Sequence, residues 1–271
     1  MLRLAMAAPR PYAGWVSRRI TVAGLRLHER VRAQPVAGLP VVMLHGLAVS
    51  HRYLMPTAHA LAGRHPVLVP DLPGFGFSDK PRRALNVGEH AAVVAAWLTA
   101  HRLGPVCLAG HSFGAEIAAA VAARRPDLVA AVVLAGPTSD PAARTRLRLT
   151  GRWCGDLPVE AGKRQALIVG RDVTQAKPWR VWATVGHSVH NAVEDDLARI
   201  TVPALVLGGE RDPVAPLPWR TRVAQLTGGI SVTVPGAAHN VLTTHGEAAA
   251  GAIDALLDQA TGDRSNVTAS G

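Results

Sequence analysis

The pentapeptide Gly110-His111-Ser112-Phe113-Gly114 sets a serine between two glycines, just after the apolar run Val106-Cys107-Leu108-Ala109 and at the head of a stretch with helical apolar spacing. A turn from a buried strand straight into a helix displays such a serine above the sheet. So tight a turn needs flanking residues nearly free of side chain, and the amides that open the helix face developing negative charge. A hydroxyl is a weak nucleophile until a base takes its proton. The base is expected to be a histidine in a late loop, oriented by a carboxylate from a loop between serine and base. Two stretches fit: Gly208-Gly209-Glu210-Arg211-Asp212-Pro213-Val214 presents Asp212, and Pro235-Gly236-Ala237-Ala238-His239-Asn240 presents His239. Ser112, Asp212 and His239 then run in the order nucleophile, acid, base. Asp140, after the preceding strand, is a competing acid; Glu210 precedes Asp212 by two residues and points elsewhere.

The elements that must position these residues follow from hydropathy. Two alternating runs around Val16–Val22 and Leu25–Val31 flank Ala23-Gly24 and predict a hairpin. Apolar runs at 39–44, 66–70, 106–109, 129–135, 204–207 and 230–234 read as strands covered on both faces, and 88–101, 113–125, 216–227 and 247–260 as helices. The fold class is therefore α/β, a mostly parallel doubly wound sheet with ligands beyond the carboxyl ends of the strands. Between 138 and 199 the alternation lapses, which predicts a small helical lid inserted in the sheet. The domain reading is a core of 1–137 and 200–262, a lid of 138–199 and a disordered tail of 263–271.

The chain has 271 residues, 48% hydrophobic and 18% charged, enough for one domain with an insertion. Two cysteines, Cys107 and Cys154, make neither a disulfide framework nor a conventional zinc site. No apolar run approaches the roughly 18 residues of a membrane helix. The net charge of +10 comes from 26 Arg and only 3 Lys, a lopsided usage that reads as genome composition. Without a basic groove interleaved with aromatics, nucleic-acid binding is not expected. The N-terminal apolar run is too short for a signal peptide, so a cytoplasmic monomer or homodimer is expected.

With these residues in view, the chain resembles the α/β-hydrolase superfamily over essentially its full length. Five blocks match in order: His45-Gly46-Leu47, the run from Asp71 to Pro81, the Ser112 elbow, the Asp212 loop and the His239 loop. The resemblance implies that the backbone N–H groups of Leu47 and Phe113 form the oxyanion hole. His45 and the Asp71–Ser78 loop read as structural framing. Haloalkane dehalogenases and epoxide hydrolases of the superfamily carry Asp at the elbow, where this chain has Ser112. Glu116, one turn after the nucleophile, is unusual, and is expected to bond a nearby loop or an Arg of the lid.

The expected chemistry is hydrolysis of a carboxylic ester or lactone through an acyl-enzyme, with no metal and no organic cofactor. The substrate is an apolar or partly anionic small molecule. Trp153, Trp179 and Trp182 of the lid are candidate binding residues, and Arg180 (or Arg144 or Arg148) a candidate partner for a substrate carboxylate. The alternatives are C–C bond hydrolysis of meta-cleavage type, although Asn240 stands where those hydrolases carry Trp after the catalytic His; an acyltransferase or cyclase; and a non-hydrolytic ligand binder.

Overall fold

The computed structural model describes residues 14–34, 36–160 and 163–269, with the side chains of 163–166 and of the residues after 260 left aside. The N-terminal stretch and the last two residues of the expected tail lie outside the described residues. Eight strands form one sheet in the order β1-β2-β4-β3-β5-β6-β7-β8. The strands β1 (Trp15–Val22) and β2 (Leu25–Arg32) are the expected hairpin, and β2 runs antiparallel to β4 (Val67–Pro70). From β4 onward, through β3 (Val41–Leu44), β5 (Val106–His111), β6 (Val129–Ala135), β7 (Ala204–Gly209) and β8 (Ile230–Val234), all pairings are parallel.

Every residue of β3 to β7 is buried, which is why these strands are continuous apolar runs. Successive residues point to opposite faces. Val42, Leu108, Val132, Leu134 and Val206 pack under α2 (Val87–His101), α3 (Phe113–Arg124) and α8 (Leu217–Thr227). Met43, Ala109, Val133, Leu205 and Leu207 pack under α1 (His51–Leu61), α9 (Val241–Thr244) and α10 (Gly246–Ala269). Burial of a side chain such as Leu134 contributes about 1.5–3 kcal/mol, so the alternating pattern fixes the register as well as the stability.

The helix α1 was not among those expected from apolar spacing. Pro56 lies inside it and removes one helical hydrogen bond, yet seven of its residues are buried, and packing outweighs the break. α10 is helical to Ala269, well past the point where a frayed tail was expected, because extending an existing helix costs far less than starting one.

The segment between β6 and β7, where the strand–helix alternation lapses in the sequence, holds α4 (Arg146–Asp156), α5 (Lys163–Ala176), α6 (Pro178–Val189) and α7 (Val193–Leu197). α7 packs against α3 and α8, so the end of this segment belongs with the core, while α6 packs against both α4 and α5. Asp172 on α5 ties these helices to the start of α1, accepting from Ser50 Oγ at 2.6 Å and pairing with Arg52 at 2.7 Å.

Packing at the start of α3 leaves no room for a side chain at two positions. A Cβ on Gly114 would stand 2.5 Å from the carbonyl oxygen of Leu44 and 2.7 Å from that of His45; one on Gly110 would stand 2.1 Å from that of Gly114. The helix therefore seats directly on the end of β3. Gly114→Ala is predicted to destabilise the fold by about 1–3 kcal/mol or more, read as a fall in the urea midpoint; an unchanged midpoint rejects this close approach.

Candidate active site

Ser112 sits between β5 and α3 with φ 54° and ψ −118°, a conformation that a residue with a side chain seldom adopts. Its N–H donates to the Ala135 carbonyl at 2.8 Å, and its own carbonyl accepts from Ala115 N–H at 2.9 Å. Phe113 opens the helix, so its amide is among those without an intrahelical acceptor. Across the turn, Gly46 comes so near that its Cβ would lie 3.2 Å from Ser112 Cβ, which sets Leu47 beside the serine.

The loops after β7 and β8 bring Asp212 and His239 together. Asp212 Oδ2 lies 3.0 Å from His239 Nδ1, and Asp212 Oδ1 accepts from the amides of Val214 and Ala215 at 2.8 and 2.9 Å. Burial alone favours the neutral acid, but His239 and the two amides outweigh it and hold this carboxyl down at about 2. For His239 burial likewise favours the neutral ring, yet Asp212, Asp156 and Glu160 together raise its pKa above the ordinary 6.5. With Nδ1 engaged, Nε2 is the remaining basic nitrogen. It is buried and, among the described residues, has no hydrogen-bond partner, so the Ser112–His239 bond is open in this structure. Such bonds often tighten only once substrate is bound.

Ser112 and His239 share a cavity of ≈ 370 Å³. Its floor is Gly46, Leu47, Ala48, Val49 and Tyr53, and its roof comes from α4 to α6, including Trp153, Asp156, Val173 and Trp182. Trp153 and Trp182 are therefore placed at the cavity. Trp179 and Arg180 are not among its lining: Trp179 is exposed, and Arg180 is buried, donating to the carbonyls of Pro81 and Arg83 at 2.5 and 3.1 Å. The other candidate cations also point elsewhere, Arg144 to Glu194 at 2.6 Å and Arg148 to the Ala142 carbonyl at 3.2 Å. Asp140 caps Ala142 N–H and pairs with Arg152 at 2.6 Å, away from His239.

Glu116 is fully buried and accepts from Thr138 Oγ1 at 2.6 Å, Ser188 Oγ, and Asn191 Nδ2 at 2.9 Å. It thus bonds the loop after β6 and the end of α6, with no arginine among these partners. His45 is framing: its Nε2 accepts from Leu72 N–H at 2.9 Å and its Nδ1 donates to the Gly46 carbonyl at 2.8 Å. Asp71 accepts from His28 and His51 ring nitrogens at 2.8 and 2.9 Å and from the Phe77 amide at 2.9 Å. His28, His51 and Asp71 form the one cluster among the described residues spaced to hold a metal ion; it is buried, lies outside the cavity lining, and its facing atoms already bond one another.

Several residues that shape the site carry no signal in the sequence. His111 Nε2 donates to the His239 carbonyl at 2.9 Å, and burial pushes its pKa down to about 3, which keeps the ring neutral. The Tyr53 hydroxyl on α1 bonds Asn240 Oδ1 and lies 3.0 Å from His111 Nδ1. Arg220 on α8 donates to the Gly209 carbonyl at 2.7 Å and braces the Asp212 loop. Asp156 and Glu160 accept from the amides of His239 and Asn240, the former at 3.3 Å.

Gly136 has φ 51°, and a Cβ there would lie 3.0 Å from His239 Nδ1 and 3.4 Å from Asp212 Oδ2. Gly136→Ala is predicted to displace the imidazole and lower kcat about 10–100-fold in a chain that still folds; full activity in a folded variant rejects this role for Gly136.

Comparison with known proteins agrees with this architecture. Residues 40–153 match the family model described as alpha/beta hydrolase fold, and residues 176–269 one described as TAP-like protein. A haloalkane dehalogenase of Mycobacterium marinum is 31% identical over 222 residues, covering 70% of this chain and 74% of that one. A 2-hydroxymuconate semialdehyde hydrolase of Pseudomonas sp. (strain CF600) is 35% identical over 133 residues, or 45% and 43% of the two chains. A thermophilic esterase from Thermogutta terrifontis superposes with a TM-score of 0.75 at 22% identity, covering 90% of this chain and 99% of that one, which speaks to the fold. No helix among the described residues is long and apolar enough to cross a membrane. The elbow, the order of the strands and these relatives together place the chain in the α/β-hydrolase family, whose members here are hydrolases.

Proposed function

We propose that the protein is a serine-dependent hydrolase of carboxylic esters or lactones. The observation that carries this reading is the hydrogen-bonded Asp212–His239 pair, whose imidazole lines one cavity with the strained Ser112. In the reaction, Ser112 Oγ attacks the carbonyl carbon as His239 Nε2 takes its proton. The amides of Leu47 and Phe113 hold the resulting oxyanion, each contributing on the order of 10²–10³ in rate. Asp212 keeps the imidazole in the required tautomer and stabilises its protonated form. Collapse of the tetrahedral intermediate expels the alcohol, which leaves with the proton from His239. Water activated by the same ring then releases the acid and regenerates Ser112.

The elbow residue separates this reading from that of the dehalogenase relative. Displacement of halide by a serine oxygen leaves an alkyl ether, which has no carbonyl for water to attack; an acyl ester does. Within the serine branch, the cavity favours ester over the anionic substrates of C–C bond hydrolysis, because no Arg or Lys is among its described lining residues. The helices α4 to α6 act as a lid that excludes water from an apolar site, which strengthens every polar contact inside it.

Labelling by a fluorophosphonate probe and turnover of short p-nitrophenyl esters test the reading. Both are expected in the wild type. Turnover is expected to fall by about 10⁴-fold or more in Ser112→Ala and His239→Ala, with labelling abolished in Ser112→Ala. A wild type that neither labels nor turns over ester rejects it.

The acid limb of the pH profile follows from the charges around His239. The base must be neutral to accept the serine proton, and the surrounding carboxylates hold on to the ring proton more strongly than burial expels it. Activity on the acid side is therefore lost at a higher pH than for an ordinary histidine. The predicted midpoint of kcat/KM, which reports the free enzyme, lies above 6.5; a midpoint below 6.5 contradicts this electrostatic account.

A further inference from the structure

The cavity around Ser112 has an unusual charge inventory for a chain of net charge +10. Among the described residues its lining holds no Arg or Lys, and its one carboxylate is Asp156, at the end of α4. This carboxylate is held in place. Asp156 Oδ1 accepts from the His239 amide at 3.3 Å, while Glu160, just beyond α4, accepts from the Asn240 amide. The end of α4 is thereby docked on the loop that carries the base, and Asp156 faces the same space as the reacting groups.

Resting on the ester-hydrolase reading, we propose that Asp156 determines substrate charge: it excludes acyl groups that carry a carboxylate and admits neutral or cationic ones. An anion entering between Leu47, Val49, Val173 and Val185 leaves its water behind, meets no Arg or Lys among the described lining residues, and stands near a fixed negative charge. Apolar walls make that charge felt over a longer distance than in water. A neutral chain has no such cost. A terminal ammonium gains from Asp156 and from the Trp153 ring, which lines the cavity; the Trp182 ring already carries the Arg146 guanidinium, 5.2 Å from its centroid.

The groups that face Asp156 are Glu160 on its own segment, His239 and Asp212 from the loops after β8 and β7, and Tyr53 from α1. Burial is the largest influence and raises the Asp156 pKa to about 6; His239 opposes the rise and Glu160 adds to it. The carboxyl is therefore neutral on the acid side of that value and charged above it. Discrimination against anionic substrate should strengthen as pH rises through about 6. The ratio of two substrates isolates this effect, since ionisation of His239 affects both equally.

The experiment compares kcat/KM for three p-nitrophenyl esters of matched acyl length, ending in methyl, carboxylate and trimethylammonium. In the wild type at pH 8 the neutral ester is expected to exceed the anionic one by about tenfold or more, with the cationic ester at least equal to the neutral one. Asp156→Asn is expected to bring the three within about threefold, and Asp156→Glu to restore the order. A purely structural role lowers all three together and leaves the ratios unchanged, which overturns the proposal. Should Asp156→Asn fail to fold, the wild-type ratio of anionic to neutral ester still decides: a fall through about pH 6 supports the proposal and a flat ratio overturns it. Labelling of Ser112 by fluorophosphonate on the same preparations separates the two readings. Labelling with no charge preference overturns this proposal alone; neither labelling nor turnover overturns both.

Discussion

Holding Ser112 at φ 54° and ψ −118° requires the chain on either side to approach neighbouring backbone more closely than a side chain allows. Such a conformation costs of order 1–3 kcal/mol and persists only where its surroundings over-determine it. Here they do. The Ser112 amide is tied to Ala135 at the end of β6, Gly110 lies against Gly114, and Gly114 lies against the last carbonyls of β3. The strain is therefore carried by the middle of the sheet, where each strand is buried along its whole length. The same contacts put the first amide of α3 next to the serine and bring Gly46 and Leu47 alongside. One backbone torsion thus links the stability of the sheet to the geometry proposed for the oxyanion.

The loop carrying His239 is held from three directions. Asp212 engages the ring, and Arg220 braces the Asp212 loop from α8. His111, the neighbour of the nucleophile, holds the His239 carbonyl, while Tyr53 bonds both His111 and Asn240. Asp156 and Glu160 hold the adjacent amides from the insertion. A buried imidazole at a loop end has few contacts of its own, and its orientation depends on polar partners that are each satisfied. The insertion is then more than a cover, since its polar end completes the support of the loop that carries His239.

The sheet was legible in the sequence because strands buried on both faces must be apolar throughout, and the loops that end them stand out by their Gly, Pro and Asp. The serine and aspartate were legible for the same reason, each coming just after such a strand; His239 instead follows β8, an edge strand expected to be covered on both faces but buried only at Val234, and was legible from its place in a late loop after the serine and aspartate. The helix α1 was hidden by Pro56, whose cost only tertiary packing offsets. The insertion was visible as a lapse in pattern, but the direction of its side chains was not. Arg180 looked available for a ligand, yet it binds the carbonyls of Pro81 and Arg83, and Trp179 stays outside the cavity while Trp182 lines it. Likewise Asp156 looks in sequence like any surface acid of an amphipathic helix, and its place beside His239 depends on how α4 docks.

That docking links catalysis and selectivity through one physical quantity, the low polarity of the cavity. Walls built from valine, leucine and tryptophan make two amide dipoles worth far more to an oxyanion than they are in water. They do so without regard to sign or origin, so any fixed charge in the same space is amplified with them. A cationic side chain there would draw in carboxylates and, standing near the ring, would lower the basicity of His239. A carboxylate does the reverse on both counts, and Asp156 is among the groups that raise the His239 pKa. The proposed preference for a neutral or cationic substrate and the raised pKa of His239 are thus two consequences of placing one acid at the end of α4.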